Sequence, residues 1–149
     1  RLREFGRILR EARVRVEEDR AKGVVPPDFI IDQALTGMRA FIAAGAAGNA
    51  LVTTLPAKLD KLEGVDAAQR TAWLTQAESL VDNEVLPGYR AMIALFEDMR
   101  RTATNDAGIW RIPNGDKIYA AALKSNTTTD LTAEQIHTLG VEEVARIEA

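Results

Sequence analysis

The sequence predicts an all-α fold, an irregular bundle of about five or six helices. Three observations lead there. Apolar residues return every three or four positions over long stretches, the period of a helix face and not of a strand. One helix start, at Thr132 and Gln135, carries a full capping signature. Neither an alternating strand–helix pattern nor a repeat of solenoid period is present. The chain has 149 residues, of which 46% are hydrophobic and 28% charged, an ordinary balance for a globular protein with one core. It reads as a single helical region over residues 1–149 without an internal boundary.

The first helix is expected from Leu2, Phe5, Ile8, Leu9, Ala12 and Val16, spaced to share a face. Between them stand Arg1, Arg3, Arg7, Arg10, Arg13 and Arg15, diluted by Glu4, Glu11, Glu17, Glu18 and Asp19, which predicts a wet, salt-bridged outer surface. Gly23 and then Pro26-Pro27 end it. Asp28 is placed to cap a second helix whose inner side is Phe29, Ile30, Leu35, Met38, Phe41 and Ile42. Residues 43–49 read as a loop of small residues. No strand leads into it and no Lys-Ser/Thr follows, so it lacks the context of a phosphate-binding loop. Leu51, Leu55, Leu59 and Leu62 suggest short helical turns interrupted by Pro56 and Gly64.

From Asp66 to about Thr102 runs the longest periodic stretch. Its stripe is Trp73, Ala77, Leu80, Val81, Val85, Tyr89, Met92, Ile93, Phe96 and Met99. This is core patterning, and Pro87 in its middle predicts a kink or break. Trp110 to Tyr119 admits two readings. Asn114-Gly115 is a hairpin signal, whereas Asn114 could instead cap a helix from Gly115 to Lys124, which the alanines at 120–122 favour. The last helix is the clearest. Thr132 and Gln135 form its capping box, Leu131 and Ile136 take the staple positions, and Ile136, Leu139, Val144 and Ile147 supply an apolar face.

Composition excludes several chemistries. With no cysteine there is no disulfide scaffold, zinc ribbon, iron–sulfur site or thiol nucleophile. His137 is the one histidine, so a site needing two is not contained in these residues. Glu134 and His137 have E-x-x-H spacing, but a carboxylate-bridged metal pair requires the motif twice. The net charge of −3 offers no field for nucleic acid, and no nucleic-acid partner is expected. No apolar run nears the ~20 residues of a membrane span. The polar run Asn126-Thr127-Thr128-Thr129-Asp130 either satisfies its own backbone in local turns or presents hydroxyls and N–H groups to an extended ligand.

Gly108-Ile109-Trp110-Arg111-Ile112-Pro113-Asn114-Gly115, then Tyr119, then Thr127-Thr128-Thr129-Asp130-Leu131-Thr132-Ala133-Glu134-Gln135-Ile136-His137 resembles the bacterial "domain of unknown function 885" family. Upstream, Pro26-Pro27 and Val85-Leu86-Pro87-Gly88-Tyr89 also fit, so the resemblance covers most of the chain. Gly88 departs from the family's more usual alanine, and a second aromatic beside Tyr119 is missing.

The resemblance implies a larger, mainly helical protein similar to zinc metallopeptidases, with a histidine–glutamate metal helix downstream of this segment. The start at Arg1 and the stop at Ala149, each inside an expected helix, lead to the same expectation of a fragment. In that chemistry zinc polarises the scissile carbonyl and activates water. The expectation for this chain is then an N-terminal part that walls a substrate cleft. It would be catalytically inactive without the C-terminal catalytic part of the same protein, and would hold no metal of its own. Peptide is the expected substrate of the parent. Cleft candidates are Trp110, Asn114, Tyr119, Thr127, Thr128 and Thr129. The resemblance leaves the compartment open, with a periplasmic or lipoprotein-anchored setting expected and a cytoplasmic one as the other option. The alternative is a free-standing helical interaction or binding module without enzymatic activity.

Overall fold

The computed structural model describes residues 2–149, and Arg1 lies outside the described residues. Helix α1 (Leu2–Ala21) turns Leu2, Phe5, Leu9, Ala12 and Val16 inward, while Ile8, expected with them, is half exposed. On its outer side the Arg7 guanidinium binds Glu4 at 2.7 Å and Glu11 at 2.6 Å. The hydrogen bond from Arg7 holds the Glu4 carboxyl below its ordinary pKa. Gly23 closes the helix with a positive φ of 81°, and Pro26-Pro27 leads into α2 (Asp28–Ala43). Asp28 is the first helical residue and not the cap that the sequence suggests. Pro27 takes the cap position with no side chain to offer, and the Asp28 carboxylate accepts from the Phe29 N–H at 2.7 Å.

Residues 44–48 form the expected turns. Their last neighbour, Asn49, is 2% exposed and caps the one-turn helix α3 (Ala50–Thr53). Its side-chain oxygen accepts from the Leu51 N–H at 3.0 Å, and its amide donates to the Phe41 carbonyl at 2.9 Å. One residue thus starts α3 and ties it to the end of α2. In α4 (Leu55–Leu59) Pro56 sits in the first turn, where a missing N–H costs nothing.

Asp66 caps α5 (Ala67–Leu80), accepting from the Gln69 N–H at 2.7 Å. The chain then passes through one π-helical turn (Val81–Val85) into α6 (Leu86–Arg100). This is how Pro87 is accommodated. Its ring would crowd the carbonyl four residues back, and widening the preceding turn relieves that crowding without ending the helix. The Leu86 N–H accordingly reaches the Val81 carbonyl, five residues away, and the Asn83 side chain donates to the Ser79 carbonyl at 2.8 Å. The wider turn also carries Leu86 into the core, off the stripe that strict helical periodicity draws. Trp73, on that stripe, stays 41% exposed.

Two clusters hold residues up to Asn105 together as one compact unit. Ile31 and Leu35 of α2 meet Ile93 and Met99 of α6, and the ion pairs Arg39–Glu97 (2.6 Å) and Arg100–Asp32 (2.8 Å) fasten the same two helices. Val52, Val81, Val85 and Leu86 form the second cluster, with Phe5, Phe41 and Tyr89 around it. The Phe41 and Tyr89 rings lie 4.5 Å apart, a tilted contact worth about 0.5–1.5 kcal/mol beyond its buried area. Helix α1 crosses this region closely. A Cβ on Gly88 would stand 2.6 Å from Leu9 Cδ1 and 3.1 Å from Leu9 Cβ, so the residue that departs from the family pattern fills a contact with no room for a methyl group.

The second compact unit, Asp106–Ala149, contains a 3₁₀ turn (Ile109–Arg111), α7 (Gly115–Thr127) and α8 (Ala133–Glu148). The segment after Asn114 is therefore a helix and not a hairpin, and among the described residues there is no strand. Asn114 acts through its backbone. It is left-handed at φ 57°, a conformation asparagine tolerates well, and its side chain makes no capping bond. Gly115 behind it is the unit's one buried residue, since any Cβ would run into the Ile109 carbonyl. The capping box of α8 forms as expected, with Gln135 N–H to Thr132 Oγ1 at 3.3 Å and Thr132 N–H to Gln135 Oε1 at 2.8 Å. Among the described residues, six helices of thirteen or more residues and two one-turn helices make up the all-α fold.

Candidate substrate groove

Along α7, Asp116, Tyr119, Ala120, Leu123 and Lys124 recur at three- and four-residue spacing and so share a side of the helix. Thr129 to Ala133, the strap joining α7 to α8, lies opposite them. Between the two is a groove of about 420 Å³. Leu123, Leu131, Ala120 and Ala133 give it a carbon lining, the half-exposed Tyr119 ring stands at its side, and Lys124 Nζ and Asp130 Oδ1 form an ion pair at 2.6 Å. That pair is largely exposed and adds little to stability, but it leaves both polar heads beside an apolar trough.

The threonine hydroxyls hold the strap's shape. Thr127 Oγ1 donates to the Leu123 carbonyl at 2.8 Å and lies 3.0 Å from Thr129 Oγ1, while Thr128 Oγ1 donates to the Thr127 carbonyl at 2.7 Å. Backbone N–H groups of Thr129 and Leu131 reach Thr127 Oγ1 and Thr129 Oγ1 at 3.3 and 3.4 Å. Of the two readings of this polar run, local satisfaction of its own backbone accounts for these bonds. Thr128 is left-handed at φ 56°, an uncommon and strained state for a β-branched residue, where the helix must end.

The six candidates therefore separate. Tyr119 and Thr129 line the groove, and Thr127 and Thr128 shape the strap that walls it. Trp110 and Asn114 are not among its lining. Trp110 is 71% exposed on the 3₁₀ turn, with its ring over Gly108, and Asn114 sets the start of α7. Sequence reasoning did not single out Leu123 or Lys124 as groove residues, and read Asp130 only within the polar run and Leu131 only as a staple and motif residue. The signal available was the shared face of 116, 120 and 124 with 119 and 123, pointing at a strap flanked by opposite charge. Glu134 and His137 show no gathering of ligands around them. Among the described residues no group of three His, Cys, Asp or Glu side chains stands together as a metal site would need.

No helix among the described residues is long and apolar enough to cross a membrane. No curated protein shows significant similarity to the chain. Among solved structures, a "putative lipoprotein" from Colwellia psychrerythraea superposes with a TM-score of 0.91 at 26% sequence identity. The match takes in 99% of this chain and 25% of the other, so the chain spans about a quarter of that protein's length. A family model described as "Bacterial protein of unknown function (DUF885)" matches residues 1–149, and with motif, fold and family model in agreement the chain belongs to the DUF885 family.

Proposed function

We propose that this chain is the helical, cleft-walling part of a longer zinc-dependent peptidase, and that the groove between α7 and the 129–133 strap receives a side chain of an extended peptide. The observation that carries this reading is the groove itself, a carbon-lined trough of about 420 Å³ with a phenol and an ion pair at its margin. Such a mixture suits a peptide, whose apolar side chain needs cover while its amides need polar partners. Burying a leucine-sized side chain there would contribute roughly 1.5–3 kcal/mol. Tyr119 would lie along that side chain, and Lys124 and Asp130 would face the peptide's carbonyl and N–H groups. Zinc in this reading belongs to the remainder of the longer protein, and no residue of this chain is given a step at the metal. The description of the Colwellia relative favours a periplasmic or lipoprotein-anchored setting.

The test is peptide hydrolysis by the longer protein, assayed with and without chelator and in the Tyr119→Ala and Leu131→Asp variants. The reading expects metal-dependent cleavage, with KM raised in both variants and kcat little changed. Absence of any peptide turnover would leave the free-standing interaction module as the better account.

A further inference from the structure

We infer that the pocket between α1 and the π-helical turn binds a small monocarboxylate, with its charge on Arg10 and Arg13 and its carbon tail on Leu9, Pro87 and Ala91. Every lining residue lies in the unit that ends at Asn105, so neither the groove beside α7 nor peptidase chemistry enters.

One buried donor draws attention to this place. Among the described residues, Arg13 Nε is the one buried side-chain nitrogen or oxygen without a hydrogen-bond partner. Buried N–H groups in folded proteins nearly always have a partner, so this one is open to an acceptor. Glu17 Oε1 stands 3.5 Å away, an ion-pair contact without the geometry of a hydrogen bond, and the Glu17 side chain is half exposed.

The pocket itself is a second, independent observation. Arg10 and Arg13 are three residues apart on α1, hence on one side of it, and both line a cavity of about 240 Å³. The widened turn at Val81–Val85 brings Glu84 to the opposite wall, and Pro87 and Ala91 continue that wall along α6. Two glycines hold the walls together. A Cβ on Gly6 would stand 2.5 Å from Glu84 Oε2, and one on Gly88 would stand 2.6 Å from Leu9 Cδ1. The shape is therefore set by close packing before any ligand arrives, which lowers the cost of binding.

The ligand class follows from charge and size. Glu84 Oε2 lies 3.5 Å from Arg10 Nη1, so one carboxylate already faces one of the two guanidinium groups. Two cations and one anion in the lining leave one positive charge over, which a single carboxylate cancels. A guanidinium fork also matches the two oxygens of a carboxylate. The carbon of Leu9, Pro87 and Ala91 favours an acid with an apolar tail over an inorganic anion. Pockets for drug-sized ligands enclose roughly 300–1,000 Å³, so the tail that fits here is short. A free short-chain acid and the C-terminal residue of a peptide present this same chemistry.

The test titrates isocaproate, a carboxylate on a leucine-like tail, into the isotopically labelled protein and follows the amide resonances of Gly88 and Ala91. Saturable shifts are expected at about millimolar concentration or below. Isocaproamide, alike in shape but uncharged, should bind at least about tenfold more weakly, and Arg13→Gln should weaken the acid by a similar factor. Shifts that never saturate would overturn the inference, as would isocaproamide or inorganic phosphate binding as well as the acid. N-acetyl-leucine separates the two sources. It binds at least as well as isocaproate if the pocket takes a peptide C-terminus, and is excluded if the pocket takes a free acid. Should Arg13→Gln fail to fold, Ala91→Met fills the pocket while keeping both arginines. It must abolish the shift at Gly88, and binding retained in that variant would overturn the inference.

Discussion

Replacing Asn49 by alanine removes more than a helix cap. The side chain is 2% exposed and serves two backbone groups, the Leu51 N–H at 3.0 Å and the Phe41 carbonyl at 2.9 Å. Loss of an N-cap costs about 1 kcal/mol. A buried carbonyl left without its donor costs about 1–3 kcal/mol more, because water cannot easily replace the lost partner. Asn49→Ala should therefore destabilise the unit by roughly 2–4 kcal/mol. Asn49→Asp should be no milder at neutral pH. It keeps the acceptor for Leu51 but sets a carboxylate oxygen against the Phe41 carbonyl. Urea unfolding followed through Trp73 in a Trp110→Phe background reads the unit that contains Asn49, since Trp110 lies in the other unit. For a unit of about a hundred residues the loss corresponds to a fall in melting temperature of roughly 10 °C or more. A change in Asn49→Ala below about 0.5 kcal/mol, the scale of an unremarkable surface substitution, would refute the reasoning that this side chain joins α2 to α3.

Gly88→Ala, although it restores the family's more usual residue, should cost about 1–2 kcal/mol in this chain, and far less in a Leu9→Ala background. A double-mutant cycle in urea checks this, because the methyl group clashes specifically with Leu9. Thr128→Gly should stabilise the end of α7 by about 1 kcal/mol by relieving a left-handed β-branched residue, read as slower hydrogen exchange there. Glu4 should titrate below the ordinary 4.5, and in Arg7→Gln it should return toward that value by NMR. Since its folded pKa is depressed, the pair's small stabilising effect is present above 4.5 and is lost as pH falls through the lowered value.

The helices were legible because their signals are local. The period of α1, the Thr132–Gln135 box and the alanine-rich run of α7 each act within a few residues. What escaped depended on the third dimension. Asn49 read as one more polar loop residue, because nothing in its neighbours shows that the Phe41 carbonyl comes within reach. Pro87 announced a disturbance but not its form. The π turn solved it one turn upstream and drew Leu86 inward, a change of register no fixed period anticipates. At the groove, Tyr119 and Thr129 were visible through the family pattern, whereas Leu123 looks like an ordinary helix residue, and Leu131, although in the pattern, like a staple residue, until the strap faces α7. Trp110 attracted notice as an aromatic in a specific motif, but the 3₁₀ turn aims it away from the groove lining.

The central proposal is that the groove between α7 and the 129–133 strap receives an extended peptide. A peptide offered to the protein and carrying a photoactivatable aliphatic side chain tests it most directly when the cross-linked residues are read by mass spectrometry. The account predicts adducts on Tyr119, Leu123 or Leu131, suppressed by unlabelled peptide. Competable adducts confined to residues outside the groove would contradict it.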